Sequence, residues 1–206
     1  HGLPAPHWKV HRGIGLPAER LLRWLLGDAP SNAEELSAEH DRRFAQTALE
    51  LTPTDGALAL LRDLEAREVP FRAVTSANES TQKALFTGLG REMPVAGPGK
   101  HGSKPQGGPI LAALDEMGPD RSQATYIGDA VWDGEAARRA GVPFIGVRCG
   151  GCSDALLRQA GALWTEDAPR RALPRAGQLL GPGPRARARA TAASQMRTGR
   201  DGVAAR

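Results

Sequence analysis

The stretch Tyr126-Ile127-Gly128-Asp129-Ala130-Val131-Trp132-Asp133 decides the fold. The residues Ala124-Thr125-Tyr126-Ile127 leading into it are short, β-branched and aromatic, and they read as a strand. Trp132 to Ala140 reads as a helix. One acid therefore closes the strand, and a second, four residues on, enters the helix. A buried strand that ends in two carboxylates can place both over one hard cation with oxygen ligands. The plainer alternative is that Asp133 complements the positive start of its helix.

The pattern on either side repeats the same unit. Phe71–Thr75, Phe144–Val147 and Ala162–Trp164 read as strands, and Glu79–Leu89, Pro109–Met117 and Ser153–Ala160 read as helices. Residues 90–108 form a Gly- and Pro-rich loop with room for one short strand. Strands that alternate with helices imply βαβ units, hence a parallel sheet covered on both faces. Ligands of such sheets sit beyond the carboxyl ends of the strands. Residues 16–50 lack strand signals. Leu21, Leu22, Leu25 and Leu26 keep helical spacing up to Gly27-Asp28, and a second helix fits Asn32–Leu49 after Ser31. Pro53 interrupts, and Asp55-Gly56 opens a helix over Ala57–Ala66.

Composition narrows the choices. The chain has 206 residues, of which 40% are hydrophobic, enough for one packed domain with a small addition. No apolar run approaches the ~20 residues of a membrane helix. The first residues are polar and Pro-rich, with no apolar leader, so the expected location is cytoplasmic. The chain starts at His1 instead of Met, which fits processing or a fragment. The basic pI of 9.6 comes from the end of the chain. Beyond Gly181 lie six arginines and one aspartate, so the remainder is close to neutral. That Arg/Ala-rich tail, residues 181–206, is expected to be disordered, and a solvated tail is preferred to a nucleic-acid arm. His1, His7 and His11 are not read as a metal site. Cys149 and Cys152, spaced as CGGC, lack the further ligands of a zinc site. They read as a Gly-rich turn more readily than as a redox pair.

Two other strand ends carry candidates. Thr75-Ser76-Ala77-Asn78 precedes a helix, where a hydroxyl and free N–H groups suit a phosphate oxygen, although helix capping alone would also select these residues. Gly102-Ser103-Lys104-Pro105 offers a cation able to neutralise phosphate charge, or simply a solvated lysine.

The ordered set of a hydroxyl, a lysine and GDxxxD resembles the haloacid dehalogenase superfamily over residues 2–180. The run Gly128–Val142, GDAVWDGEAARRAGV, is most similar to its phosphoglycolate phosphatase and β-phosphoglucomutase branch. The resemblance implies an α/β, Rossmann-like parallel sheet and a Mg²⁺-dependent phosphatase acting on a small phosphorylated metabolite. It makes Ser76 and Lys104 the catalytic hydroxyl and lysine, with Ala77 and Asn78 beside the substrate. Asp129 becomes a Mg²⁺ ligand, and Asp133 either a second ligand or the residue that orients the waters of the ion. Trp8–Gly15 resembles the substrate loop of a helical cap, in which Arg12, with His11 beside it, contacts the distal part of the substrate. The implied organisation is a partial cap over 1–52, the α/β core over 53–180, and the tail.

One family element is missing. The nucleophile belongs to a DxDxT motif at the end of the first strand, and no DxDxT occurs in this sequence. The expectation is therefore a core without its first strand, which belongs between the Phe71 and Ala124 strands. Strands lie ~4.8 Å apart, so its absence opens a gap of roughly 10 Å. The chain by itself is expected to lack turnover. A non-catalytic phosphate-binding module of the same fold is the alternative.

Overall fold

The computed structural model describes residues 5–27, 31–47, 50–97 and 101–180. The tail from residue 181 lies outside them. Three helices lead, α1 (His7–Gly13), α2 (Ala18–Leu26) and α3 (Ala33–Thr47), each touching the next. After α4 (Ala57–Ala66), strands and helices alternate: β1 (Ala73–Val74), α5 (Glu79–Leu89), β2 (Val95–Ala96), α6 (Gly108–Met117), β3 (Tyr126–Gly128), α7 (Val131–Ala140), β4 (Phe144–Val147), α8 (Asp154–Gln159), β5 (Ala162–Glu166) and α9 (Ala172–Leu180). The protein is thus an α/β structure. No described helix is long and apolar enough to cross a membrane.

All strand pairing is parallel, as the alternation requires. Among the described residues the sheet is in two pieces, β1-β2 and β3-β4-β5. Helix α6 bridges them, because it touches β1, β2 and α7. Among the described residues β1 and β3 each pair on one side only.

β4 is buried along its whole length, and the parity of a strand explains how. Phe144 faces a core built from α6, α7 and α8, with Ile110, Leu114, Ala136, Ala137, Ala140 and Leu157. Ile145 and Val147 face Ala172 and Ala176 of α9 on the opposite side. Gly146 shares the Phe144 face, where a Cβ would stand 3.0 Å from Leu157. Its bareness lets α8 come close.

The structure departs from the sequence expectations in three places. The strand expected over Phe71–Thr75 shrinks to Ala73–Val74. Its partner β2 starts after Pro94, which has no N–H to extend the ladder. Residues 8–15 were expected as a loop, yet most of them form α1. Gly13 explains this: having no Cβ, it admits Leu21 and Trp24 of α2 against the last turn. Helix α9 lies beyond the last expected element. It forms because Ala172 and Ala176 bury against the second face of the sheet.

Gly134, inside α7, tests the packing account. A Cβ there would lie 2.6 Å from the Ala160 carbonyl oxygen and 2.9 Å from Phe144 Cε1. Helix propensity alone favours Ala over Gly by ~1 kcal/mol. Overpacking costs ~1–3 kcal/mol. We expect Gly134→Ala to lower stability in urea titration; a gain would show that the α7–α8 contact is looser than described.

Candidate active site

Tyr126 and Gly128 point to the same face of β3, since strand side chains alternate. The missing side chain at Gly128 makes room for a carboxylate. A Cβ there would stand 2.5 Å from Asp133 Cγ. Asp133, in the first turn of α7, fills that space and is 3% exposed. Lys104 Nζ donates to its Oδ1 at 2.8 Å, and the Tyr126 hydroxyl donates to the same atom at 3.1 Å. The backbone N–H groups of Asp129 and Ala130 donate to Oδ2 at 3.1 and 3.0 Å. A carboxylate offers about four lone-pair positions, so these four donors use its capacity. Burial, followed by the Asp133 charge, pushes the Tyr126 hydroxyl well above its ordinary pKa, which keeps it a donor.

Asp129 is held differently. Its backbone serves Asp133, while its carboxylate leans toward Gly150 in the turn after β4. Burial raises its pKa first and the Asp133 charge second; nearby Lys104 opposes both. Among the described residues this carboxylate forms no ion pair, since Lys104 is paired with Asp133. A divalent cation with oxygen preference would relieve the repulsion, so the donor set fits Mg²⁺. Asp133 serves the turn that presents Asp129. Among the described residues no three His, Cys, Asp or Glu side chains gather as a metal site.

Lys104, Asp129 and Asp133 thus stand together. Ser76 lies past the end of β1, and no hydrogen bond joins it to that cluster. Its Oγ is buried without a partner among the described residues, an arrangement that costs about 1–3 kcal/mol unless something fills it. Its neighbours are occupied. Ala77 N–H donates to Thr75 Oγ1 at 3.1 Å, and Ala77 O accepts from Gln82 at 2.7 Å. Asn78 caps α5 by accepting from Thr81 N–H at 2.9 Å, and its amide donates to Asp41 of α3 at 2.7 Å.

His11 and Arg12 arrive from α1. The His11 ring stands against Gly151, where a Cβ would approach its Nε2 to 2.5 Å. The Arg12 charge acts on the Cys152 thiol. The CGGC turn therefore borders both Asp129 and α1. Burial pushes both thiols up, and Asp129 adds to this, the reverse of what a reactive thiolate needs.

The comparisons with known proteins bear on this arrangement. The model of the haloacid dehalogenase-like hydrolase family matches residues 9–141. The chain belongs to that family. A phosphoglycolate phosphatase of Rhodospirillum rubrum is 38% identical over 94 residues, 44% of this chain and 39% of that protein. A phosphoglycolate phosphatase of Caulobacter vibrioides is 30% identical over 157 residues, 71% of this chain and 66% of that protein. The chain thus spans well under half of one curated relative and just under two thirds of the other. A solved hydrolase from Pseudomonas syringae superposes with a TM-score of 0.80 at 26% identity, covering 86% of this chain and 85% of that one.

Sequence reasoning did not single out Tyr126, although the i, i+2 parity with Gly128 places it on the Asp133 side. Nor did it single out Gly150, for which the sequence alone gives no signal beyond a Gly pair. Removing the Lys104 charge while keeping its stem, Lys104→Met, leaves a buried carboxylate without its cation. We expect a loss of ~3 kcal/mol in chemical denaturation. Asp129→Asn removes the repelled charge, so the unfolding temperature in metal-free buffer should rise; a fall would show that Asp129 has a counter-charge after all.

Proposed function

We propose that the protein works as a Mg²⁺-dependent phosphatase of small phosphomonoesters such as phosphoglycolate, with the nucleophile supplied by a DxDxT segment that this chain does not contain. The observation that carries the reading is a half-buried Asp129 carboxylate, strained by burial and by the Asp133 charge, beside a Lys104–Asp133 ion pair at a strand end. Family membership and the two phosphoglycolate phosphatases among its relatives support it. In this reading residues 1–52 are the remaining part of a helical cap over an α/β core at 53–180. The division of the described sheet into two pieces supports a missing strand that carries the nucleophile.

Each residue then has a task. The unpartnered Ser76 hydroxyl donates to a phosphoryl oxygen, which satisfies an atom that is otherwise buried at a cost. Lys104 brings positive charge to the same rim while holding Asp133. Asp133 fixes the Asp129 turn by binding two of its N–H groups. Asp129 holds Mg²⁺, which supplies charge neutralisation for the phosphoryl group when bound. Arg12 and His11, from the cap, face the part of the substrate beyond its phosphate, and Ala77 and Asn78 border it.

The chain alone is expected to bind without turnover. Titrated with Mg²⁺ to ~100 times its Kd, it should gain about 2.7 kcal/mol of stability by mass action. Asp129→Asn should abolish that gain. Joining a DxDxT-bearing N-terminal segment should confer Mg²⁺-dependent release of phosphate from small phosphomonoesters. Inactivity of the joined protein across several such substrates would count against the proposal, as would phosphate release by the chain on its own.

A further inference from the structure

The last turn of a helix leaves carbonyls that the helix cannot bond itself. In α1, the carbonyls of His11 and Gly13 accept from Ile14 and Leu16 N–H at 3.3 and 3.1 Å. The carbonyl of Lys9 accepts from the Trp24 indole at 2.8 Å. These donors are local. The carbonyl of Arg12 accepts at 2.7 Å from the indole of Trp132, which lies 120 residues away in sequence, immediately before Asp133. Trp132 also meets Trp24 edge-on, with ring centres 5.6 Å apart and planes at 79°. Gly15 brings the following turn over the same place: a Cβ there would lie 3.4 Å from Ala130 Cβ and 3.8 Å from Trp132 Cδ1. The first turn of α7, next to the turn that presents Asp129, thus also grips the backbone of Arg12.

We infer that Trp132 is a positioning residue whose indole N–H, bonded to the Arg12 carbonyl, sets where Arg12 stands relative to the start of α7 and so tunes recognition of the substrate beyond its phosphate. The recognition half rests on the phosphatase reading above; the positioning half does not. Trp132 acts through Arg12 and touches no reacting atom. An aromatic ring without a donor keeps the contact with Trp24 but releases the carbonyl, so the two contributions separate by substitution.

The test uses the chain as it stands. Trp132→Phe retains a ring and removes the donor. Cleavage by trypsin after Arg12 is timed against cleavage after Arg158 in α8. Loss of one ordinary hydrogen bond predicts cleavage after Arg12 faster by on the order of fivefold, with Arg158 unchanged. Equal acceleration at both sites would mean a general folding defect and would overturn the positioning role, and so would no change at either. In parallel, calorimetry in Mg²⁺ measures affinity for 2-phosphoglycolate and for inorganic phosphate. The preference for 2-phosphoglycolate should fall severalfold in Trp132→Phe and as far or farther in Arg12→Ala, while affinity for inorganic phosphate holds. An unchanged preference overturns the recognition half. If the unsubstituted chain binds neither anion, the phosphatase reading fails, and the proteolysis result still decides whether Trp132 holds the Arg12 turn.

Discussion

The buried carboxylate of Asp133 is the constraint around which the site is organised. A charge taken out of water is tolerated only where a counter-ion and hydrogen bonds replace its hydration. Here the replacements come from three separate pieces of chain: the 102–105 loop through Lys104, the strand β3 through Tyr126, and the strand-to-helix turn through two N–H groups. Each piece is held because the acid needs it. The turn is then no longer free to relax, and Asp129 must stand with its own carboxylate half-buried beside a like charge. The repulsion is a local cost that a cation, if bound there, would offset. Titratable groups perturbed in this way cluster at functional sites.

Much of this could be read from the residues before any coordinates. The alternation of apolar runs gave β3, β4 and β5 with their helices, because fully buried parallel strands are near-continuous apolar runs, and Phe144–Val147 is one. The GDxxxD spacing located the acid pair, since four residues separate a strand end from the first turn of the next helix. What stayed hidden depended on distant packing. Helix α1 has no signature of its own; it exists because Gly13 accepts the side chains of α2. Helix α9 is stabilised by a sheet face that no local pattern announces. The division of work between Asp129 and Asp133 was equally invisible, because it turns on which carboxylate the Lys104 and Tyr126 donors reach.

Asn78 shows how one side chain can serve two levels of structure. Its Oδ1 caps α5, the ordinary reason for Asn at a helix start, and its Nδ2 reaches Asp41 of α3. The residue that fixes the geometry after Ser76 is therefore also a tie to the N-terminal helices. Trp132 does the same from the other half of the split sheet, with one edge toward Arg12.

The two glycines of the CGGC turn carry a further consequence. Gly150 lies under the Asp129 carboxylate and Gly151, at φ +81°, lies under the His11 ring, so neither position can accept a side chain without moving a site residue. A side chain added at either bare position would press on Asp129 or His11, while Cys152 beside them packs against the core. The turn that draws the eye by its sulfur atoms depends as much on the empty volume between them.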